Sequence, residues 1–273
     1  MNPGVQPVEI VRVGPGPDVS GRDVAAAEEP LEIRLGGTPF VVIMRTPGAD
    51  RELAAGFLLA EQIVRGPADL ASMRHCTDED GRDAPNVLNV WLAGEAVERA
   101  AVAMAGRRHV SVSSACGVCG RRSIDDLMEG IRRIESPLTV SREVIVMLPA
   151  RLRAVQKTFD ETGGLHAAGL FDRHGTLVIV DEDVGRHNAV DKVIGAQLLA
   201  GRVPLSDRVL FVSGRTSFEI VQKAVVAGVP VVASVSAPSS LAIELAREAN
   251  VTLLGFVRDG TFNIYTGAFR ITQ

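Results

Sequence analysis

The sequence predicts an α/β protein that carries a β-rich lobe on its N-terminal side. Strand-like and helix-like segments alternate through the second half of the chain. This alternation is typical of a mostly parallel sheet covered by helices. At 273 residues and 46% hydrophobic content, the chain is long enough to bury a large core in one or two domains.

Three regions are predicted along the chain. Residues 1–27 are rich in glycine and proline, which predicts a disordered tail. Residues 28–137 predict the β-rich lobe, and Ser136 and Pro137 mark its end. Residues 138–273 predict the α/β sheet domain.

Within the lobe, glycine turns and apolar periodicity define the elements. The predicted strands are residues 31–34, 40–44, 87–92 and 109–113. Gly36 and Gly37 between the first two strands are a hairpin signal. Leu53, Phe57 and Leu58 recur at helical spacing and predict a helix that follows the hairpin.

The sheet domain begins with a predicted hairpin and continues as strand and helix pairs. The predicted strands are residues 167–171, 176–180, 209–212, 229–234 and 252–256. The predicted helices are residues 185–199, 217–227 and 239–249.

Charge and composition exclude several classes of protein. The net charge is −4, and basic and acidic residues are interspersed, so the sequence contains no basic patch of the kind that binds long nucleic acid. No stretch approaches the roughly 20 apolar residues of a membrane span, and no signal segment is recognisable. Three cysteines, an odd number, argue against a disulfide framework and for a reducing compartment. We therefore expect a cytoplasmic protein that binds neither long nucleic acid nor a membrane.

A pair of closely spaced cysteines is the strongest functional signal. Cys116 and Cys119 form a C-x-x-C motif among small residues, and the third cysteine, Cys76, lies far upstream. Apolar residues at helical spacing after the motif place both thiols near a predicted helix N-terminus. There the helix dipole and the charges of Arg121 and Arg122 favour thiolate over thiol. A reactive thiolate is expected, with two inert residues in a glycine-rich turn as the alternative.

The cysteine pair could also bind zinc or act as a redox dithiol, depending on the residues around it. A structural zinc site needs four ligands, and the other two would have to come from Cys76, His75 or His109. A zinc-dependent deaminase needs H-x-E and P-C-x-x-C, but valine and serine follow His109 and alanine precedes Cys116. A thioredoxin-like role needs a strand before the pair, which residues 109–113 would supply. The residues thus disfavour deamination and leave the redox use open.

Two loops at the carboxyl ends of predicted strands have the composition of phosphate sites. In such a sheet the ligand lies beyond the carboxyl ends of the strands. Residues 213–217 offer backbone N–H groups at a helix start, hydroxyl groups and a guanidinium, and residues 234–240 repeat the arrangement. Helix capping is the alternative for either loop alone. Together they predict a nucleotide or similar phosphoester, bound by Ser213, Arg215, Thr216, Ser234 and Ser236.

Two further polar clusters lie at comparable positions. Arg186, His187 and Asp191 can share one helix face, which makes His187 a predicted ligand residue. Residues 162–166 place His166 after a flexible glycine pair. A capped helix with a surface ion pair explains the first cluster as well as a ligand site does. A histidine in a tight turn explains the second cluster equally well.

Six ordered motifs together resemble the formate dehydrogenase accessory sulfurtransferase family. The motifs are Thr46-Pro47 with residues 53–58, then residues 116–120, 162–166, 182–192, 213–217 and 255–258. The resemblance covers roughly residues 30–270, and the ordered set is far more specific than any one motif. One departure is Gln62, where the family tends to have glycine, and it affects only a helix end.

The resemblance implies a sulfur carrier. Members of the family take sulfur from a cysteine desulfurase as a persulfide. They pass it to the molybdenum cofactor, in its bis(molybdopterin guanine dinucleotide) form, before insertion into formate dehydrogenase. A cytidine deaminase-like α/β/α sandwich, a homodimer, guanine nucleotide binding and the absence of zinc are also implied.

The same resemblance assigns roles to residues. Cys116 is the implied persulfide carrier, and Cys119 is its implied partner. The family's cofactor segment falls on Phe256, Val257, Arg258, Asp259, Gly260 and Thr261. Two rival functions stay open: a zinc-dependent deaminase on the same fold, and a non-catalytic chaperone that only binds the molybdenum cofactor.

Overall fold

Two β-sheets and the helices between them make up most of the structure, a computed structural model that describes residues 2–77, 83–107 and 132–273. A separate hairpin lies at the N-terminal end of the chain. Residues of both sheets belong to one hydrophobic core. The predicted α/β class is confirmed.

The N-terminal hairpin replaces the predicted disordered tail. Strands β1 (Val5–Arg12) and β2 (Val19–Ala26) pair antiparallel along their whole length. The glycines and prolines of residues 14–17 lie in the connecting turn, where they terminate strands without preventing their pairing. The base of the hairpin contacts a short helix at Lys157–Thr162. The glycine and proline content therefore reflects a turn between two strands, and the prediction of a disordered tail at residues 1–27 was wrong.

A four-stranded sheet forms the lobe. Its strands are β3 (Glu29–Leu35), β4 (Thr38–Arg45), β5 (Leu70–Thr77) and β6 (Asp83–Leu92), in the order β4-β3-β6-β5. Gly36 and Gly37 have φ angles of 56° and 87°, which suit a two-residue hairpin turn, so the predicted hairpin is confirmed. The predicted strand at residues 109–113 lies outside the described residues.

Two helices accompany this sheet. The predicted helix is α1 (Asp50–Ala60), and a second helix, α2 (Ala96–Arg107), was not predicted. Val97 and Val102 of α2 are exposed, so its apolar residues do not mark a single buried face. Helix α1 is almost entirely buried.

The main sheet is mixed. After a short strand β7 (Val140–Ser141), its strands are β8 (His166–Phe171), β9 (Leu177–Asp183), β10 (Val209–Val212), β11 (Val231–Ser234), β12 (Thr252–Arg258) and β13 (Thr261–Thr266). Their order is β13-β12-β11-β10-β8-β9, and only β10, β11 and β12 run parallel. The tight connections from β8 to β9 and from β12 to β13 cannot make the crossover that parallel pairing needs. The prediction of a mostly parallel sheet was therefore wrong at both edges of the sheet, where β8 and β13 pair antiparallel with their neighbours.

Helices cover both faces of the main sheet. In chain order they are α3 (Arg142–Arg153), α4 (Lys157–Thr162), α5 (Arg186–Leu199), α6 (Phe218–Val226) and α7 (Ser240–Glu248), and a last strand β14 (Ile271–Thr272) pairs with β7. Leu210 and Val212 point into the core with α1, α5, α6 and α7. Val209 and Phe211 point into the core under α3. This is a three-layer α/β/α arrangement, while the closer likeness to cytidine deaminases stays a prediction.

Helix α1 crosses helix α5 through two glycines. A Cβ added to Gly56 would lie 2.0 Å from the carbonyl oxygen of Asp191, and one added to Gly195 would lie 1.9 Å from that of Glu52. Only glycine lets the two backbones approach this closely. Because α1 belongs to the lobe and α5 to the main sheet, the crossing joins the two. The predicted boundary near residue 137 stays a prediction, but the core continues across it.

A buried polar junction lies beside this crossing. The Nζ atom of Lys192 lies 2.9 Å from Asp183 Oδ2 and donates to the carbonyl oxygen of Thr46 at 3.0 Å. Thr46 N donates to Asp183 at 3.1 Å, which links the lobe to strand β9. Asp181 lies at the edge of the junction, 3.6 Å from Lys192 Nζ. Burial raises the pKa of Asp181 to about 6, although Lys192 opposes the shift.

We expect Gly195→Ala to destabilise the protein. The added methyl group must push α1 away from α5, and overpacking of a tight core commonly costs about 1 to 3 kcal/mol. Chemical denaturation measures the free energy of unfolding. Gly66→Ala is the matched control, since nothing lies within 4 Å of a Cβ at Gly66. Equal stabilities of the two variants would contradict the close crossing.

We expect Asp181 to make stability depend on pH. Its folded-state pKa is raised, so its contribution is present at low pH and is lost as the pH rises through about 6. Between pH 4 and pH 7, wild type should lose up to about 3 kcal/mol relative to Asp181→Asn. Denaturation at several pH values measures the difference. The exposed Asp18, changed to asparagine, should leave the pH profile unaltered.

Candidate functional site at the strand-end edge

One edge of the main sheet collects the polar loops that the sequence predicts as a site. The carboxyl ends of β9, β10, β11 and β12 lie at this edge. Because β8 runs antiparallel to β10, its first residue, His166, lies at the same edge. We call it the strand-end edge, and it comprises residues 213–217, 234–238 and 256–261 with His166, Arg186 and His187.

The first loop, residues 213–217, is held against strand β8. Ser213 N donates to the carbonyl oxygen of Ala167 at 2.9 Å, and Ser213 Oγ accepts from Ala167 N at 2.8 Å. Gly214 packs beside His166, where an added Cβ would lie 3.3 Å from Nδ1. Arg215 is exposed, whereas Thr216 is completely buried. Arg215 is thus free to reach a ligand in solvent.

In the second loop, residues 234–238, and at the start of the following helix, serine hydroxyl groups form hydrogen bonds with nearby backbone atoms. Ser234 is buried, and its Oγ donates to the carbonyl oxygen of Ser236 at 2.8 Å. Ser239 Oγ accepts from Ala242 N at 3.3 Å and caps helix α7, so the capping interpretation is right for this serine. Ser236 is half-buried and accepts from Phe256 N at 3.1 Å through its carbonyl group. The second and third loops are therefore neighbours.

The third loop is strained. Phe256 and Asp259 both have φ of 53°, a left-handed conformation that is unusual for an aromatic residue. The register of β12 against β13 shifts between Gly255 and Arg258, and the Arg258 guanidinium lies over the Phe256 ring at 5.4 Å. Such strain is concentrated at functional sites in proteins.

Not every residue of the third loop can offer a side chain to a ligand. Val257 is buried in the core under α3, so only its backbone is available. Arg258, Asp259, Gly260 and Thr261 are exposed. Thr261 Oγ1 donates to the carbonyl oxygen of Arg258 at 3.1 Å, which closes the turn.

A polar cluster joins the N-termini of α5 and α6. His187 Nε2 lies 2.7 Å from Glu219 Oε2 and 3.0 Å from Ser217 Oγ. Ser217 Oγ also donates to Glu219 Oε2 at 3.1 Å. Serine and carboxylate thus share one ring nitrogen, which differs from a hydrolase triad, where the acid holds the opposite nitrogen. The cluster fixes the two helix N-termini side by side.

The electrostatics of this region favour an anion. Helices α5 and α6 direct the positive ends of their dipoles at it, and Arg186 adds a charge. Burial, followed by the charges of Arg186 and His187, lowers the pKa of His166, so its ring is neutral near pH 7. Among the described residues, Arg186 Nε and Thr216 Oγ1 are buried without hydrogen-bond partners. A bound oxyanion would supply partners to such atoms.

A cavity of about 580 Å³ opens between helix α3 and the strand-end edge. Gln156, Phe159, His166, Ser213 and Val235 are among its lining residues. We call it the α3 cavity. No sequence motif marked Gln156 or Phe159 as site residues, because neither belongs to a polar loop at a strand end.

The predicted thiol centre lies outside the described residues. Cys116 and Cys119 belong to residues 108–131, and their relation to the strand-end edge stays a prediction. Within the described ranges, no group of three or more histidine, cysteine, aspartate or glutamate side chains is arranged to hold a metal ion. No described helix is both long and apolar enough to span a bilayer.

Comparisons with known proteins cover nearly the whole chain. The sulfur carrier protein FdhD of Nocardia farcinica is 50% identical over 267 residues, which span 96% of this chain and 93% of that protein. The sulfur carrier protein FdhD of Anaeromyxobacter dehalogenans strain 2CP-C is 51% identical over 257 residues, which span 92% and 89% of the two chains.

The fold has a counterpart among solved structures. A crystal structure from Desulfotalea psychrophila, of a protein assigned as a formate dehydrogenase accessory protein, superposes with a TM-score of 0.78. It covers 99% of this chain and 100% of its own at 22% identity, so it supports the fold alone. The model of the FdhD/NarQ family matches residues 26–272, and this chain therefore belongs to the FdhD/NarQ family.

Proposed function

We propose that this protein is a sulfur carrier that serves the maturation of formate dehydrogenase. The observation that carries the proposal is about 50% identity to sulfur carrier proteins along nearly the whole chain. The C-x-x-C motif at Cys116 and Cys119 supplies the sulfur chemistry that such a carrier requires. The anion-favouring strand-end edge supplies a place for a phosphate-bearing cargo.

The sulfur step is a thiol exchange at Cys116. The Cys116 thiolate attacks the outer sulfur of a cysteine persulfide on the donor, which is a cysteine desulfurase. A new sulfur–sulfur bond forms on Cys116, the donor's sulfur–sulfur bond breaks, and the donor cysteine leaves as a thiolate. Cys119 is the neighbouring thiol that can take part in release. No external oxidant or reductant is needed for this step.

The cargo that receives the sulfur is the molybdenum cofactor in its bis(molybdopterin guanine dinucleotide) form. Its dinucleotide ends carry phosphates, and Arg215 and Arg258 are exposed guanidinium groups at the strand-end edge. Ser213, Thr216, Ser236 and His187 add polar groups there. Ser234 and Val257 are buried and would contribute through their backbone.

The remaining parts of the proposal follow from the family resemblance. The carrier works in the cytoplasm as a homodimer, between a cysteine desulfurase and formate dehydrogenase. Zinc is not required. A chaperone that only binds cofactor is the rival, and it would still mature formate dehydrogenase with Cys116 replaced by alanine.

We expect Cys116 to accept the sulfur. Incubation with a cysteine desulfurase and cysteine should add about 32 Da to the intact protein, reversibly by thiol reductant, since a persulfide is thiol-labile. Mass spectrometry measures the adduct. Cys116→Ala should gain nothing and should fail to mature formate dehydrogenase while still binding cofactor. A labelled Cys116→Ala protein with an unlabelled Cys119→Ala protein would transfer the role to Cys119.

We expect the strand-end edge to bind guanine nucleotide through its arginines. Arg215→Ala and Arg258→Ala each remove a charge-assisted phosphate contact, and affinity should fall by roughly tenfold. Calorimetric titration with guanosine diphosphate measures the dissociation constant. Arg202→Ala is the control, because this exposed arginine precedes β10 and lies at the opposite edge. Unchanged affinity in both site variants would place the phosphates elsewhere.

A further inference from the structure

The C-terminal residues of the chain are locked onto the start of strand β12. A short 3₁₀ helix, Ala268–Arg270, follows Gly267, whose φ angle is 65°. Thr252 Oγ1 donates to the carbonyl oxygen of Gly267 at 2.7 Å. A Cβ added to Gly267 would lie 2.5 Å from Thr252 Oγ1, so only glycine fits at this contact. The 3₁₀ helix is therefore held in one position against β12.

This helix buries a guanidinium group that has no counter-ion among the described residues. Arg270 is only 1% exposed, and the acceptors that it finds there are uncharged oxygen atoms of Ile134, Asn250 and Thr252. Its Nε atom is buried with no partner in the same part of the chain. Burying a charge without an opposite charge is costly, and an apolar residue of similar size often fills such a place without loss of stability. Stability alone does not account for a charge at this position.

The backbone that Arg270 holds is that of Ile134. Arg270 Nη2 donates to the carbonyl oxygen of Ile134 at 3.3 Å, and Asn250 Nδ2 donates to the same oxygen at 2.9 Å. Ile134 N donates to the carbonyl oxygen of Ala249 at 2.8 Å, and the Ile134 side chain is buried in the core. Arg270 Nη1 donates to the carbonyl oxygen of Asn250 at 2.7 Å and so fixes Asn250 as well. We call Ile134, Asn250 and Arg270 the C-terminal clasp.

The C-terminal clasp lies where the cysteine-bearing part of the chain joins the main sheet. Ile134 comes shortly after residues 108–131, which contain Cys116 and Cys119. Beyond Ile134 the chain continues to β7, which pairs with the last strand, β14. Asn250 directly precedes β12, so the clasp lies at the edge of the main sheet opposite the strand-end edge. The C-terminal residues thus hold this junction at two points, away from the phosphate loops.

From this arrangement we infer that Arg270 is a positioning residue for sulfur delivery: by fixing Ile134, it sets the point from which the residues that carry Cys116 leave the main sheet. The inference rests on the proposed function for the role of Cys116. In delivery the sulfur–sulfur bond on Cys116 breaks, and Cys116 leaves as a thiolate with the bonding electron pair. The sulfur atom binds the molybdenum of the cargo, and the reduced metal supplies the two electrons that convert it to sulfide.

Delivery depends on the position of Cys116 more than loading does. A misplacement of about 1 Å between reacting groups can slow a reaction on the order of a hundredfold. In delivery, Cys116 and the bound cargo are held by one protein, so its fold sets their separation. In loading, the donor is a separate protein that adjusts its approach. Loss of the clasp should therefore slow delivery and leave loading nearly unchanged.

The test replaces Arg270 by methionine, which removes the charge and keeps an apolar stem. Apo-formate dehydrogenase is activated with cysteine desulfurase, cysteine and molybdenum cofactor in excess, at increasing concentrations of the carrier. The maximal activation rate of Arg270→Met should fall roughly tenfold or more, while its half-saturating concentration stays within about twofold of wild type. Loading of Cys116, measured by mass, and the dissociation constant for guanosine diphosphate should also stay within about twofold, because the clasp lies away from the strand-end edge.

The two kinetic quantities separate positioning from folding. A variant that is only partly folded has fewer competent molecules, so its half-saturating concentration rises while its maximal rate is kept. Asn250→Gly is a second variant with little effect on the backbone, because Asn250 has a φ angle of 59° that glycine adopts freely. It removes a side-chain donor to Ile134 and should lower the maximal rate in the same way.

Arg247→Met is the matched control. Arg247 is an exposed arginine in the last turn of α7, next to the clasp in the chain. Its replacement removes a positive charge from the same helix end and leaves the hydrogen bonds to Ile134 in place. This variant should activate formate dehydrogenase at the wild-type maximal rate. Equal losses in Arg247→Met and Arg270→Met would assign the effect to charge at the helix end and overturn the inference.

Other outcomes would also overturn it. A wild-type maximal rate in Arg270→Met and in Asn250→Gly would show that the clasp does not position the sulfur. A raised half-saturating concentration with an unchanged maximal rate, or equal slowing of loading and delivery, would leave the clasp a structural role alone. These results leave the proposed function intact as long as wild type loads sulfur on Cys116. Failure of wild type to load would overturn the proposed function and the inference together.

Discussion

The close crossing of helices α1 and α5 is the constraint on which the rest of the structure depends. Gly56 and Gly195 bring the two backbones together at a distance that no side chain allows. The crossing seats the lobe on the main sheet and fixes the position of α5. Because the N-terminus of α5 carries Arg186 and His187, the same contact fixes one side of the strand-end edge.

Buried ion pairs then set the direction of α5. Asp191 lies 2.7 Å from Lys223 on α6, and the next residue, Lys192, pairs with Asp183 on β9. Burial raises the pKa of Asp191, while Lys223 opposes the shift. Removing charges from water is costly, so such pairs define geometry more than they add stability. Here the Asp191–Lys223 pair joins α5 to α6 one turn beyond the contact between His187 and Glu219, and the Lys192–Asp183 pair joins α5 to β9.

The strand-end edge combines a fixed electrostatic field with incomplete hydrogen bonding. Two helix dipoles and Arg186 favour an anion, while the buried Thr216 hydroxyl has no partner among the described residues. On one side the third loop stores strain at Phe256, and on the other the α3 cavity opens beside Ser213. Under the proposed function, these features recognise the phosphorylated ends of the cargo.

The sequence by itself determined the elements whose signals are local. Alternating strands and helices from β8 to β12, the glycine turn of the first lobe hairpin and the polar loops at strand ends were all predicted, and the ordered motifs indicated the family. Only the tertiary structure decided the antiparallel strands of the main sheet, the N-terminal hairpin and helix α3, which contains Pro149. It also decided that Gln156 lines a cavity. These features depend on contacts between residues distant in the chain, and hydrophobic periodicity carries no information about such contacts.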